Sequence, residues 1–151
     1  MNGIENFKQK LARHKTFGLD TPCFVYHFEA NPTYFDLTQE LFHSLETRFA
    51  VTSTLTLAEI LGYEQVYYNK KVWVAYKNAF LSAPNLSILV PNLIICEKAA
   101  GLRVKYKIGL ADAVLIATTT EVGASVFVTN DKILRKVKEL EVLILDDFLI
   151  R

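Results

Sequence analysis

Short apolar runs alternate along this chain with longer stretches whose apolar residues recur every three or four positions, the period of an amphipathic helix. Ile4, Phe7, Leu11 and Ala12 follow that period and predict an N-terminal helix over residues 4–14. Thr16 to Leu19 is a short extended run ending at Asp20. Thr21-Pro22 reads as its break, Cys23 to Phe28 is a second apolar run, and Asn31-Pro32 marks a boundary. Phe35, Leu37, Leu41, Phe42 and Leu45 predict a helix within Thr33 to Glu46, and Phe49-Ala50-Val51 a short strand. Thr52-Ser53-Thr54 offers hydroxyl caps for a helix from about Leu55 toward Tyr68, which Asn69-Lys70-Lys71 interrupts. Val72 to Leu81 is again helical and closes at Ala83-Pro84-Asn85. Beyond it the pattern predicts a strand over Ser87 to Val90, a helix over Asn92 to Lys107 and an apolar helix over Leu110 to Val122. It then predicts a strand over Ser125 to Val128, a helix over Asp131 to Leu140 and a last strand over Val142 to Leu145.

Strands alternating with helices from end to end imply a parallel sheet covered on both faces, a three-layer α/β/α sandwich of five parallel strands. The 151 residues show no linker or internal repeat, so a single domain over 1–151 is expected, with residues 1–15 as a helical extension. Hydrophobic residues make up 51% and mean hydropathy is +0.19, enough to bury a core and too much for a disordered chain. The start, MNGIENFKQKLARHK, carries charges throughout, unlike a secretory leader. No run approaches the roughly 18 to 20 apolar residues of a membrane span. Cys23 and Cys96 lack metal-ligand spacing and read as free thiols of a reducing compartment. The expected location is the cytoplasm, away from the membrane.

Candidate chemistry lies in the acids. In a doubly wound sheet, functional groups gather beyond the C-terminal ends of the strands. Asp20 ends the first strand, Glu59 lies early in the helix after the second, Asp112 opens the helix after Gly109, and Asp131 follows the fourth strand. Each has a plain structural reading: a turn residue at Asp20, a surface acid at Glu59, a helix cap at Asp112 or Asp131. Asp112 is the most informative, because its neighbours Leu110, Ala111, Ala113, Val114, Leu115 and Ile116 are all apolar. A carboxylate there needs a positive partner, either a buried Lys or Arg or a metal ion shared with the other acids. Four acids at strand ends favour the ion. Hard oxygen ligands select Mg²⁺ or Mn²⁺, which suit hydrolysis of a phosphodiester.

The segments Asp20-Thr21, Ala58-Glu59, Leu110-Ala111-Asp112-Ala113 and Thr129-Asn130-Asp131 resemble the four motifs of PIN-domain ribonucleases, most of all the VapC-type toxins of toxin–antitoxin pairs. The resemblance runs from about Phe17 to Phe148 and rests on the order, spacing and context of the motifs. It implies an α/β/α sandwich with five parallel strands that cuts RNA with Mg²⁺ or Mn²⁺. By motif, Asp20, Glu59, Asp112 and Asp131 are the catalytic metal ligands, with Thr21 and Thr129 as hydroxyl residues beside the first and last. It further implies a cognate antitoxin. Pro22 departs from the small polar residue often found there, and the N-terminal helix is longer than in many minimal toxins.

Charge adds detail. Residues 1–97 carry 8 Lys and Arg against 9 Asp and Glu, and residues 98–138 carry 8 against 3. Lys98, Arg103, Lys105 and Lys107 precede Asp112, while Lys132 and Arg135 follow Asp131; these six read as RNA-phosphate contacts or as solvated helix faces. His14, His27 and His43 share no ligand spacing. Tyr63, Tyr67, Tyr68, Trp73, Tyr76 and Phe80 exceed what a small core needs, so part of this region is expected to face a partner, and a homodimer is expected. Three other functions compete. A haloacid-dehalogenase phosphatase needs a second Asp two residues after the first, where Pro22 stands. A phosphoacceptor receiver needs an Asp after the third strand and a Lys after the fifth, where the chain has Val90-Pro91-Asn92 and Leu145-Asp146. A PIN-like RNA-binding or RNA-processing module that is not a toxin is the third.

Overall fold

The computed structural model describes residues 2–149. Met1, Ile150 and Arg151, the ends of the expected domain, lie outside the described residues. Five parallel strands pair in the order β3-β2-β1-β4-β5: β1 Thr16–Leu19, β2 Phe49–Ser53, β3 Leu86–Leu89, β4 Val126–Thr129 and β5 Glu141–Ile144. Successive strand residues point to opposite faces, and the sequence exploits this. Phe17, Leu19, Val126, Val128 and Leu143 enter one core, whereas Phe127 and Val142 enter the other.

The first core takes α1 (Gly3–Ala12), α2 (Thr21–Phe28), α3 (Phe35–Ser44), Ile60 of α4 (Thr54–Leu61) and Phe80 of α6 (Lys70–Ser82). A four-residue α5, Glu64–Tyr67, lies between α4 and α6. The second core takes α7 (Leu93–Tyr106) and α8 (Leu110–Glu121). The α/β/α sandwich expected from the sequence is the fold. Gly18 permits the close approach of α8 to the sheet, since a Cβ there would lie 2.0 Å from Thr119 Oγ1.

Three elements differ from the pattern. Pro22 does not break the chain but sits in the first turn of α2, where its missing N–H is no loss and its φ is already helical. The helix expected from Leu55 toward Tyr68 ends at Leu61, capped by Gly62. The helix expected over Asp131 to Leu140 is only a 3₁₀ turn, Lys132–Lys136. Its buried residues Leu134, Val137 and Leu140 are spaced by three, which suits a three-residue turn and an extended exit.

The N-terminal helix is part of the core. Asn2 and Glu5 form a reciprocal capping box at its start. Phe7 and Leu11 are buried, and the Phe7 ring lies 5.0 Å from Phe148 of the closing 3₁₀ turn, Leu145–Phe148. Among the described residues no helix is long and apolar enough to cross a membrane. Phe7→Ala is expected to cost about 3–5 kcal/mol in urea unfolding, as for an interior aromatic. A change near zero would show that the helix is an appendage.

Candidate acid site

The strand order reverses direction between β1 and β4, and the crevice beyond their C-terminal ends is where a doubly wound sheet places its ligand. Asp20 leaves β1 and Asp131 leaves β4 at this point. Asp20 caps α2, its Oδ1 accepting from the Thr21 N–H at 2.8 Å, and it is only 5% exposed. Its other oxygen accepts from the Thr129 hydroxyl at 2.6 Å. The same hydroxyl oxygen accepts from the Asp131 N–H at 3.1 Å. Thr129 therefore ties the first acid to the backbone of the last, and the carboxylate it orients is that of Asp20. Asp131 caps its 3₁₀ turn by accepting from the Ile133 N–H at 2.9 Å. Glu59 stands exposed on α4, and its Oε1 accepts from the Thr21 hydroxyl at 2.8 Å. Asp112 lies half-buried in the first turn of α8.

Burial pushes Asp20 from 3.8 up to about 7, helped by the charges of Asp112 and Glu59 and opposed by the hydrogen bonds from Thr129 and Thr21. Burial also pushes Asp112 up to about 6, helped by Asp131 and Glu59. Among the described residues, none of the four makes an ion pair with a Lys, Arg or His. Among the described residues, the buried Lys or Arg that the sequence left open as a partner for Asp112 is absent. Nor, among the described residues, do any three Asp, Glu, His or Cys side chains stand close enough to hold a metal ion as they are placed.

The basic residues are mostly occupied elsewhere. Lys98 pairs with Glu121, Lys105 with Glu139 at 2.9 Å, Lys132 with Asp146 at 3.0 Å, and Arg135 grips both oxygens of Asp147 at 2.6 and 3.0 Å. Arg103 and Lys107 are exposed and unpaired among the described residues. A groove of about 560 Å³ between α7, α8 and Glu139 is lined by the paired Lys98 and Lys105 and contains none of the four acids. The histidines are structural or on the surface: His14 bonds Ser125 and Glu141, His27 stacks on Phe35, and the exposed His43 faces Glu46. Cys23 is buried and Cys96 exposed, both as free thiols.

A brace behind Asp131 escaped the sequence reading. Asp146 accepts from the Tyr34 hydroxyl at 2.6 Å, pairs with Lys132, and donates its own N–H to Asn130 Oδ1 at 2.9 Å. Asn130 Nδ2 in turn donates to the Tyr26 hydroxyl at 3.3 Å, and Tyr26 stacks on Tyr34 with centroids 4.2 Å apart. The hydrogen bond from Tyr34 and the pairing with Lys132 hold Asp146 below its ordinary pKa. The residues on both sides of Asp131 are thus held by one residue, Asn130 by the backbone N–H of Asp146 and Lys132 by its carboxylate. Asn130 next to Asp131 was the available signal, but its partner is 16 residues away.

An α/β domain with acids about the switch point of its parallel sheet is the class that fold and site define. The chain belongs to the PIN domain family, which it matches over residues 18–140. PIN domains are generally nucleases. Among solved structures, the chain is similar to one in VapBC2 from Rickettsia felis bound to a DNA fragment from the promoter. That chain is 21% identical, with TM-score 0.65, and the match covers 85% of this chain and 97% of that one. A toxin–antitoxin complex from Klebsiella pneumoniae matches with TM-score 0.60 and 19% identity, over 86% and 97%. DNA-bound VapBC from Salmonella typhimurium matches with TM-score 0.66 and 18% identity, over 87% and 98%. No curated protein matches the chain.

An acid whose pKa is higher in the folded than in the unfolded state holds its proton more tightly when folded. The stability it confers is therefore complete at low pH and lost as pH rises from about 4 to the folded values of about 6 and about 7. In chelator, urea stability is expected to fall across that window and level off above it. Asp112→Asn is expected to flatten the lower part of the slope and to be more stable than wild type at alkaline pH. Parallel profiles for the two proteins would contradict the mutual repulsion.

Proposed function

We propose that the chain is an Mg²⁺- or Mn²⁺-dependent endoribonuclease that hydrolyses RNA phosphodiester bonds and serves as the toxin of a toxin–antitoxin pair. The observation that carries this reading is a set of four carboxylates without a cationic partner among the described residues, at the switch point of a PIN domain, with Asp20 and Asp112 pushed up by burial and by the neighbouring acids. Asp20, Glu59, Asp112 and Asp131 are the proposed catalytic ligands. Their all-oxygen donor chemistry suits Mg²⁺, which keeps several of its waters and so tolerates ligands that are not packed into a closed cage. A bound ion supplies an activated water and neutralises charge on the phosphate. The chain's own part is positional. Thr129 aims Asp20, Thr21 anchors Glu59, and Asn130 with Asp146 braces the segment bearing Asp131.

Arg103 and Lys107, exposed at the end of α7, are proposed to contact RNA phosphates, whereas Lys98, Lys105, Lys132 and Arg135 must first exchange a carboxylate for a phosphate. A homodimer and a cognate antitoxin are proposed partners. They are supported by the exposed apolar side chains of α6 and α7, such as Leu81, Leu93 and Val104, and by the likeness to chains of toxin–antitoxin complexes. Two free thiols support a cytoplasmic location. A second reading is an RNA-binding or RNA-processing module that is not a toxin; the absence of a ready three-ligand cage among the described residues favours its RNA-binding form.

Thermal melts with and without Mn²⁺, run beside RNA cleavage assays, separate a metal-dependent nuclease from an RNA-binding module. Millimolar Mn²⁺ is expected to raise the melting temperature of the wild type, as a ligand at 100 times its Kd adds about 2.7 kcal/mol. Asp112→Asn is expected to lose both the shift and cleavage. A wild type with no Mn²⁺ shift, together with Asp112→Asn cutting RNA at the wild-type rate, would overturn the metal-site reading.

A further inference from the structure

His14 lies two residues before β1, Ser125 immediately before β4, and Glu141 opens β5. All three therefore stand at the N-terminal ends of strands, opposite the ends that Asp20 and Asp131 leave. His14 Nε2 is 2.9 Å from Glu141 Oε2, and its Nδ1 is 3.0 Å from the Ser125 hydroxyl. A carboxylate only accepts, so Nε2 carries the proton that it donates to Glu141. In the neutral ring Nδ1 is then left as an acceptor, and the Ser125 hydroxyl donates to it. Lys10 Nζ, 3.2 Å from the other Glu141 oxygen, helps to hold that carboxylate. The backbone fixes the arrangement. The Glu141 N–H donates to the Ser125 carbonyl at 2.8 Å, the His14 N–H to the Leu11 carbonyl at 3.0 Å, and Arg48 Nε to the His14 carbonyl at 3.2 Å. The His14 side chain is only 13% exposed, whereas Ser125 is open to solvent. Two residues before Ser125 there is open space as well, since a Cβ on Gly123 would meet no atom within 4 Å.

The bonds that hold His14 also meet the needs of a nucleophilic serine: a base within reach of the hydroxyl, and a third group that sets the tautomer of the base. Holding His14 to the sheet needs only Glu141 and Arg48; the third bond goes to an exposed hydroxyl, where water would serve as well. We propose that Ser125 is a nucleophile, activated by His14 and Glu141, that takes the acyl group of an activated ester. Ser125 Oγ bonds to the carbonyl carbon as its proton passes to His14 Nδ1. The bond from that carbon to the leaving oxygen then breaks, and the leaving oxygen keeps the electron pair and takes the proton from His14. Ser125 ends as an ester, and nothing is oxidised or reduced. The donor class follows from the backbone before Ser125. The Gly123 and Ala124 N–H groups are spent on the Thr120 and Thr119 carbonyls, so neither serves a developing oxyanion. The donor must therefore carry its own good leaving group, as an aryl ester does.

The test is reaction of the full chain with p-nitrophenyl acetate, with the acetyl group mapped by mass spectrometry. Ser125 is expected to be acetylated about 10²-fold or more faster than the exposed Ser82 and Ser87, which bond no imidazole among the described residues. His14→Gln and Glu141→Gln are each expected to slow acetylation of Ser125 by about 10²- to 10⁴-fold. Ser82 and Ser87 are expected to react unchanged in the same samples, which unfolding would not allow. Ser125→Ala, at an exposed position, is expected to lose only the adduct at that residue and to melt like the wild type. Ser125 reacting no faster than Ser82 and Ser87 in the wild type would overturn the proposal whatever the variants do, and would leave the three residues a tie between α1, β4 and β5. Full reactivity of Ser125 in His14→Gln would overturn it too. None of the four acids takes part, so either result leaves the nuclease reading where it stands.

Discussion

A carboxyl group buried at the end of a central strand can be kept there only by hydrogen bonds or by a cation. Asp20 receives two hydrogen bonds, one from the helix it caps and one from Thr129 on the neighbouring strand. The parallel pairing of β1 with β4 aligns Gly18 with Phe127 and Leu19 with Val128, which brings Thr129 beside Asp20. The reversal of strand order therefore does more than open a crevice. It places a donor from one half of the fold on an acid from the other. Thr21 carries the same linkage outward to Glu59.

The distribution of charge reinforces this centre. The basic stretch after residue 97 supplies Lys98, Lys105, Lys132 and Arg135, and each is matched by an acid outside the cleft. Surface pairs of this kind add little stability. What they do is satisfy those cations elsewhere, leaving the four acids without a cationic partner among the described residues. Asp146 is the exception in role. It is a surface-side acid that pairs with Lys132 and also holds Asn130 and Tyr34, stiffening the loop on which Asp131 sits.

Much of this was legible in the sequence where the signal is local. The five strands, the helices before and after Gly109, and the placement of Asp20 and Asp131 at strand ends follow from periodicity and from the placement of single residues, whereas Glu59 lies within α4 and Asp112 opens a helix that follows another helix. Pro22 misled because the same residue can end one element or begin the next, and only the Asp20 cap decides between them. The spacing of Leu134, Val137 and Leu140 misled because a period of three is shared by a 3₁₀ turn and a frayed helix. The partners of the lysines, and the Tyr34–Asp146–Asn130 brace, join residues up to 112 positions apart. Tertiary pairing over such separations leaves no mark in a single sequence. The mutual charge of the acids was anticipated only as repulsion, since its strength depends on burial.

The central claim is that the uncompensated charge of the cleft is a cation site organised around Asp20. Anomalous diffraction from a crystal grown in millimolar Mn²⁺ tests it most directly. The account predicts a manganese peak within about 2.0–2.6 Å of carboxylate oxygens of Asp20 and Asp112, with the Thr129 hydroxyl still donating to Asp20. A fully ordered cleft with no manganese at these carboxylates would contradict it.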